Sequence, residues 1–205
     1  MDRQRLMILQ QKKEGLPDGY TQLEYLQSDG TQWINTEYIL QNSDTVELKA
    51  EYVRRGSLNY STAYFCGSDI TFESGFNFFE DSSVNYGIGG VSGSEKRYSG
   101  VCPEIGTTFV VTSSISFLRV AVGEMIKEPS SLSLDWPLYL FTTNRKGTAF
   151  DAGLIGKIYY AKITNQGEIT LNCIPCLDAN GVPCMFDLVS RKSLYNVGTG
   201  SFTWG

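Results

Sequence analysis

The 205-residue sequence contains no histidine. Its absence removes the commonest general base, the usual middle member of a catalytic triad and the commonest metal ligand. Positive charge is scarce as well. Lys and Arg number 17 against 22 Asp and Glu, a net charge of −5 with a pI of about 4.8. The basic footprint that nucleic acid or an anionic membrane surface requires is therefore missing. Positive charges cluster only as Arg3/Arg5, Lys12-Lys13, Arg54-Arg55 and Lys96-Arg97, each short enough to be an ordinary solvated face. The apolar run near the start, Leu6-Met7-Ile8-Leu9, is too short for a signal-peptide core and far too short to span a bilayer, so no membrane insertion is expected. The five cysteines (Cys66, Cys102, Cys173, Cys176 and Cys184) are odd in number and scattered. They read as reduced thiols of a protein made in a cytoplasm, not as a disulfide framework.

What is present points to strands. Twenty-one glycines against six prolines favour many tight turns, and 12 Tyr with 11 Phe suit sheet faces and sugar-stacking surfaces alike. A chain of this length buries a substantial core without metal or disulfide staples. Residues 45–52 alternate cleanly, with Val46, Leu48, Ala50 and Tyr52 on one face and Thr45, Glu47, Lys49 and Glu51 on the other. That is the pattern of a strand with one wet face. Further strands are predicted at 63–66, 75–79, 84–88, 107–112, 116–122, 138–142, 156–164 and 168–174. Turn signals separate them, among them Gly89-Gly90, Asn144-Arg145-Lys146-Gly147, Asn165-Gln166-Gly167 and Asp178-Ala179-Asn180-Gly181. No segment after Gly15 shows an apolar period of 3.6 over three turns. Many short strands with short turns predict an all-β, two-sheet antiparallel sandwich.

Residues 2–14 differ in kind. They are helix formers without Gly or Pro, followed by Gly15 and Pro17 as a stop signal, and read either as a short helix or as a flexible polar tail. Residues 1–15 are expected to be a docking or oligomerisation peptide with Leu6, Met7, Ile8 and Leu9 as its contact residues. Residues 16–205 are expected to be the sandwich domain. No heptad long enough to argue for a trimer is present. The last residues, Phe202 and Trp204 alternating with Ser201 and Thr203, read as a final strand that pairs with the segment 16–27.

Four pieces carry a family resemblance. They are Leu16-Pro17-x-Gly19-Tyr20-Thr21-x-Leu23-Glu24-Tyr25 with Gly30-Thr31-Gln32-Trp33-Ile34-Asn35-Thr36; Gly156-Lys157-Ile158-Tyr159-Tyr160-Ala161-Lys162-Ile163; Ile174-Pro175-Cys176 with Phe186-Asp187-Leu188; and Tyr195-Asn196-x-Gly198-Thr199-Gly200-x-Phe202. Together they resemble the concanavalin A-like (laminin-G-like) jelly-roll domain of phage and prophage structural proteins from gut bacteria. The resemblance covers nearly the whole chain after residue 15. It implies a jelly roll of the lectin and glucanase type on a virion, made in the host cytoplasm, as a tail-fibre, head-fibre or decoration component. Its partners would be other virion proteins and a cell-surface glycan. It implies little about chemistry, because one fold hosts many functions.

The residues offer no catalytic constellation. A retaining glycanase needs two carboxyl groups about 5 Å apart, commonly on one strand face. The nearest matches place Thr71 between Asp69 and Glu73, and Lys49 between Glu47 and Glu51. Cys173-Ile174-Pro175-Cys176 with Cys184 falls short of a zinc site, since residues three apart on a strand face opposite ways and no histidine completes four ligands. Asp178, Asn180 and Asp187, like Glu80 and Asp81, read as solvated acidic turns and not as a calcium site. No metal and no cofactor is expected. For a glycan surface the densest mixture runs from Asn77-Phe78-Phe79-Glu80-Asp81 to Asn85-Tyr86, with Arg97-Tyr98 close by and Asn59-Tyr60 and Trp33 apart. Asn77, Tyr86, Arg97, Tyr98 and Trp33 are the candidate ligand contacts, although Trp33 also reads as a sheet anchor. The sequence thus predicts a non-enzymatic binding or display module. A bacterial glycan-binding module, or a glycanase of the same fold, is the alternative. Deleting residues 1–15 is expected to leave the sandwich folded by circular dichroism while abolishing association with virion proteins.

Overall fold

The computed structural model describes residues 15–71, 74–81, 85–89, 96–99, 103–114, 117–120, 123–126 and 135–205. Regular structure among these is all strand. In chain order the strands are β1 (Thr21–Gln22), β2 (Leu26–Asp29), β3 (Ile34–Ile39), β4 (Asp44–Tyr52), β5 (Ala63–Thr71), β6 (Ser74–Asp81), β7 (Asn85–Gly89), β8 (Lys96–Ser99), β9 (Thr108–Ser113) and β10 (Phe117–Val120). They continue as β11 (Gly123–Ile126), β12 (Pro137–Leu140), β13 (Asn144–Arg145), β14 (Thr148–Ala149), β15 (Ile155–Asn165), β16 (Glu168–Leu177), β17 (Pro183–Asp187), β18 (Lys192–Tyr195) and β19 (Thr203–Trp204). They form two sheets. The larger has eleven strands in the order β11-β10-β9-β4-β15-β16-β17-β18, with β2 also on β15, β19 on β2, and β1 on β16. The smaller has eight, in the order β14-β13-β5-β6-β7-β8, with β12 joining β5 to β3. Among the described strands every pairing is antiparallel except β13 with β5.

The alternation in β4 does what its sequence predicts. Val46, Leu48, Ala50 and Tyr52 are buried, beside Ile158, Ala161 and Ile163 of β15 and Phe109 and Val111 of β9. Phe65 and Cys66 of β5 and Leu138 and Leu140 of β12 enter the same core from the other sheet. The two sheets therefore pack face to face. Tyr52 touches Phe65 edge-on at 5.0 Å and stacks on Phe109 at 5.3 Å, which ties the sheets through aromatic contact. Strand β5 reads Ala63-Tyr64-Phe65-Cys66 because both its faces are covered. Phe65 enters the main core, while Tyr64 packs with Phe79, Ala152 and Phe150 on the far side. The same logic separates Cys173, in the main core, from Cys176, which lies with Cys184 and Phe186 beneath Leu16, Tyr20 and Leu188.

Several strands escape the sequence pattern. β17 begins at a proline, which is tolerated at a strand's first residue, and β18 has only four residues. The run 156–163 breaks its period of two at a bulge. The β4–β15 register shifts between Ile158 and Tyr160, so Tyr159 and Tyr160 both lie toward the wet face while Ile158 and Ala161 stay buried. The final strand closes the sheet as expected: β19 pairs with β2, Thr203 opposite Gln27 and Trp204 opposite Leu26.

The doubled tyrosine arms the wet face. Glu51 accepts from Lys157 Nζ at 2.7 Å and from Tyr159 OH at 2.6 Å. Glu47 pairs with Lys162 at 2.7 Å and accepts from Tyr160 OH at 3.0 Å. Burial and the bond to Glu47 push the Tyr160 phenol up to about 12. Burial works against the Glu51 carboxylate, but the Lys157 ammonium and the Tyr159 hydroxyl outweigh it and hold its pKa below the ordinary 4.5. A depressed folded-state pKa contributes stability that is present above the unfolded value and lost as pH falls through the folded one. Urea midpoints are therefore expected to drop as pH falls below about 4.5. Glu51→Gln is expected to cost on the order of 1 kcal/mol at pH 7 and to flatten that acid limb.

Candidate functional site

One open cleft of about 380 Å³ is built from segments far apart in the chain: residues 30–33, Leu58, Thr142, residues 149–151, Gly153 and residues 197–199. Its first wall is a clasp between the β2–β3 turn and the turn after β18. In the β2–β3 turn, Gly30 takes φ +100°, Asp29 Oδ1 accepts from Thr31 N and Thr31 Oγ1 at 3.0 and 2.7 Å, and Gln32 Oε1 accepts from Asp29 N at 2.9 Å. The Thr31 hydroxyl, against partial burial, lowers the Asp29 pKa from its usual value. Gln32 Nε2 then donates to Thr31 Oγ1 at 2.8 Å and to Thr199 O at 3.3 Å.

Across the clasp, Val197 N donates to Trp33 O at 2.9 Å and Thr199 N to Thr31 O at 3.0 Å. Asn196 Oδ1 accepts from Trp33 N at 3.1 Å and Gly198 N at 2.9 Å, and its Nδ2 donates to Gly200 O at 3.1 Å. The strands come so close that a Cβ at Gly198 would overlap Thr31 O. Trp33, set by this clasp, stacks on Tyr139 at 4.4 Å with 25° between the rings.

The opposite wall follows Phe141, which ends β12 in the left-handed region at φ +68°. A buried aromatic in that region carries strain of order 1–3 kcal/mol. Two backbone bonds hold it, Phe141 N to Phe65 O and Leu154 N to Phe141 O, both at 2.7 Å, and its ring packs on Phe202. Thr142 Oγ1 donates to Phe150 O at 2.7 Å, and Phe150 N donates to Thr143 O at 3.0 Å. Phe150 lies beneath the Arg145 guanidinium, 3.8 Å from its ring centroid, and beside Tyr60 at 5.3 Å. At the rim Asn59 Nδ2 donates to Asp151 Oδ2 at 2.7 Å. Among the described residues the cleft thus offers aromatic rings, threonine hydroxyls, and one carboxylate paired with one amide. Such a set accepts and donates hydrogen bonds; it is not a nucleophile with its base.

Among the described residues, Trp33 is the predicted contact that lines this cleft. Asn77 does not lie on an open surface: it is 3% exposed, and its Oδ1 accepts from Thr143 Oγ1. The physical reason is Gly67, its register partner, whose missing side chain leaves room that Asn77 and Thr143 fill. Tyr86 and Tyr98 are register partners on β7 and β8, and Arg97 stands opposite Gly87. The side chains of Tyr86, Arg97 and Tyr98 lie outside the described residues, as do Leu6, Met7, Ile8 and Leu9, Glu73 and the side chains of Asp69, Glu80 and Asp81. Phe150, Asp151 and Thr199 are not candidate contacts by sequence, since their convergence is tertiary; the local signals are Asn59-Tyr60, an outlying part of the glycan-surface mixture, and the turn-rich Asn196-Val197-Gly198-Thr199-Gly200.

Asp178 and Asp187 are buried caps and not parts of solvated turns. Asp178 Oδ1 accepts from Asn180 N and Val182 N, both at 2.8 Å, and Oδ2 from Tyr195 OH at 2.9 Å. The Val182 amide leads the lowering of its pKa. Asp187 accepts from the amides of Asn172, Val189 and Ser190.

No family model matches the sequence, and no curated protein does. Among solved structures the chain is similar to one described as "NanB plus Optactamide", with a TM-score of 0.51 and 15% identity over 72% of this chain and 26% of that chain. This chain thus spans about a quarter of that one's length, and at such identity the likeness speaks for the fold alone. The clasp yields its own prediction. Gly198→Ala is expected to destabilise by about 1–3 kcal/mol, through the overlap with Thr31 O, in urea denaturation.

Proposed function

We propose that this chain is a non-enzymatic component of a phage virion, a jelly-roll module of the concanavalin A-like type whose end cleft holds a neutral cell-surface glycan. The observation that carries the reading is the cleft itself, in which Trp33, Phe150, the threonine hydroxyls and the Asp151–Asn59 pair converge on a volume suited to one or two sugar rings. Aromatic rings meet the apolar faces of a pyranose, while a carboxylate and an amide side by side accept from and donate to neighbouring hydroxyls. Asp151 is the one carboxylate among the described residues that line the cleft. It would repel an anionic sugar, and alone it falls short of the two carboxyl groups that glycoside hydrolysis uses. The acids of the wet face are no substitute, because Glu47 and Glu51 are each held by a lysine.

In this reading residues 1–15 attach the module to another virion protein, and the resemblance carried by the four sequence pieces supplies the phage context. No helix among the described residues is long and apolar enough to cross a membrane. The test is a glycan array with the full chain, followed by calorimetry on any hit. Wild type is expected to retain neutral glycans, and Asp151→Ala to bind at least about tenfold more weakly with its thermal midpoint unchanged, since a hydrogen bond to a charged acceptor is worth about 1.5–3 kcal/mol. An array without hits, or an Asp151→Ala variant that binds as wild type does, overturns the reading.

A further inference from the structure

The binding reading leaves one reactive pair unused. Cys176 of β16 and Cys184 of β17 stand directly opposite each other in the antiparallel register, their sulfurs 3.5 Å apart, and both side chains are fully buried. Opposed residues of an antiparallel pair have Cα atoms about 4.5–5.5 Å apart, within the range a disulfide spans, so the bond needs rotation of the side chains and not movement of the strands. Among the described cysteines the pair is also isolated. Cys173 and Cys66 belong to the main core, whereas Cys176 and Cys184 lie on the opposite side of the large sheet in the small cluster with Phe186.

Their cover is slight. Leu16, Tyr20 and Leu188 pack on the pair and are themselves only partly buried. The segment before the two-residue β1 is held by the Tyr20 OH–Ser193 Oγ bond at 2.9 Å, by Arg191 donating to Gly15 O, by the edge contact of Tyr20 with Phe186 and by a turn from Tyr20 N to Pro17 O. A short segment with so few bonds opens locally at a small fraction of the global unfolding free energy, and that opening admits a small solute. The thiol–thiol hydrogen bond also divides the two roles. It lowers the pKa of Cys184 against the effect of burial, while it and burial raise that of Cys176.

We propose that Cys176 and Cys184 form a redox-modification site, a dithiol that closes to a cross-strand disulfide when the protein meets a two-electron oxidant of the peroxide class. The Cys184 thiolate attacks one oxygen of hydrogen peroxide and breaks the O–O bond; the departing hydroxide takes up a proton as water and Cys184 becomes a sulfenic acid. The Cys176 sulfur then attacks the Cys184 sulfur and displaces the hydroxyl, which leaves as a second water with the Cys176 proton. In sum two thiols and one peroxide give one disulfide and two waters. The new bond staples β16 to β17 beneath residues 16–20. It is independent of what the cleft holds.

Asp178 lies between the two cysteines, so a protease that cuts before aspartate separates them into different peptides. The full chain, reduced and desalted, is treated with stoichiometric hydrogen peroxide and mapped without reductant by mass spectrometry. The expected result is a loss of two hydrogens, with the Cys176 and Cys184 peptides joined and released again by dithiothreitol. Cys176→Ser and Cys184→Ser should each abolish the link, and Cys173→Ser should keep it; Cys173 and Cys176 share one peptide, so fragmentation between Ile174 and Pro175 assigns the bond in the wild-type map if a variant fails to fold. Cys176 and Cys184 peptides that remain unjoined, whether unmodified, oxidised singly or bonded to another cysteine, overturn the proposal.

Discussion

Two backbone hydrogen bonds, from Val197 to Trp33 and from Thr199 to Thr31, fasten residues more than 160 positions apart, and the rest of the site depends on them. They make the turn after β18 follow the entry to β3, and they fix the cleft's first wall. Asn196 reinforces them by accepting from both sides, from Trp33 N and from Gly198 N. Near the clasp, β19 lies on β2, and Gly205 O accepts from Glu24 N at 2.6 Å. The early and late ends of the domain are thereby one structural unit. A clasp of this kind closes a very long loop, whose entropy penalty grows only slowly with length, so the shared core can supply the stabilisation that a few hydrogen bonds of about 1 kcal/mol cannot.

That core divides the chemistry of the large sheet. Its inner face is apolar and meets the second sheet through Tyr52, Phe65 and Phe109. Its outer face keeps a ladder of acids, lysines and tyrosines that satisfy one another, and the Lys49 ammonium sits 4.8 Å from the Tyr159 ring centroid. The bulge in β15 makes this ladder possible, since it gives the outer face two successive tyrosines without disturbing Ile158 or Ala161 inside. A self-satisfied polar face is a poor place to bind a new ligand. Each incoming hydroxyl would have to replace a bond that already exists.

Local pattern made most of the strands legible. Period-two alternation marks β4, the short apolar run Ala63-Tyr64-Phe65-Cys66 marks a strand, and the three-residue spacing keeps Cys173 apart from Cys176. Long-range contact hid the rest. Asn77 looks like a surface amide because nothing in its neighbourhood says that Gly67 opens space beneath it and that Thr143 arrives to fill that space. Gln32 reads as an ordinary polar turn residue, yet it is 2% exposed and holds the clasp together. β17 and β18 were too short, and too marked by turn residues on either side, to rise above the background. The cleft could not be read locally at all, since its walls are contributed by segments near residues 30, 58, 150 and 198.

The same contrast explains why Asp151 matters more than the acids that drew attention first. A carboxylate that already accepts from backbone amides and neighbouring side chains has little capacity left for a ligand. Asp178 and Asp187 are spent in this way on the hairpin ends of β16 and β17, Asp29 on the turn at Thr31, and Asp44 on Gln41 N, Tyr38 OH and Asn165. Their short polar side chains served the backbone first, as turn residues do. Asp151 is exposed and has Asn59 beside it, so one oxygen is positioned while the carboxylate as a whole faces the cleft's solvent. A ligand that reaches it displaces water and not a structural bond. In the proposed reading, recognition falls on the carboxylate that the fold does not use for its own turns.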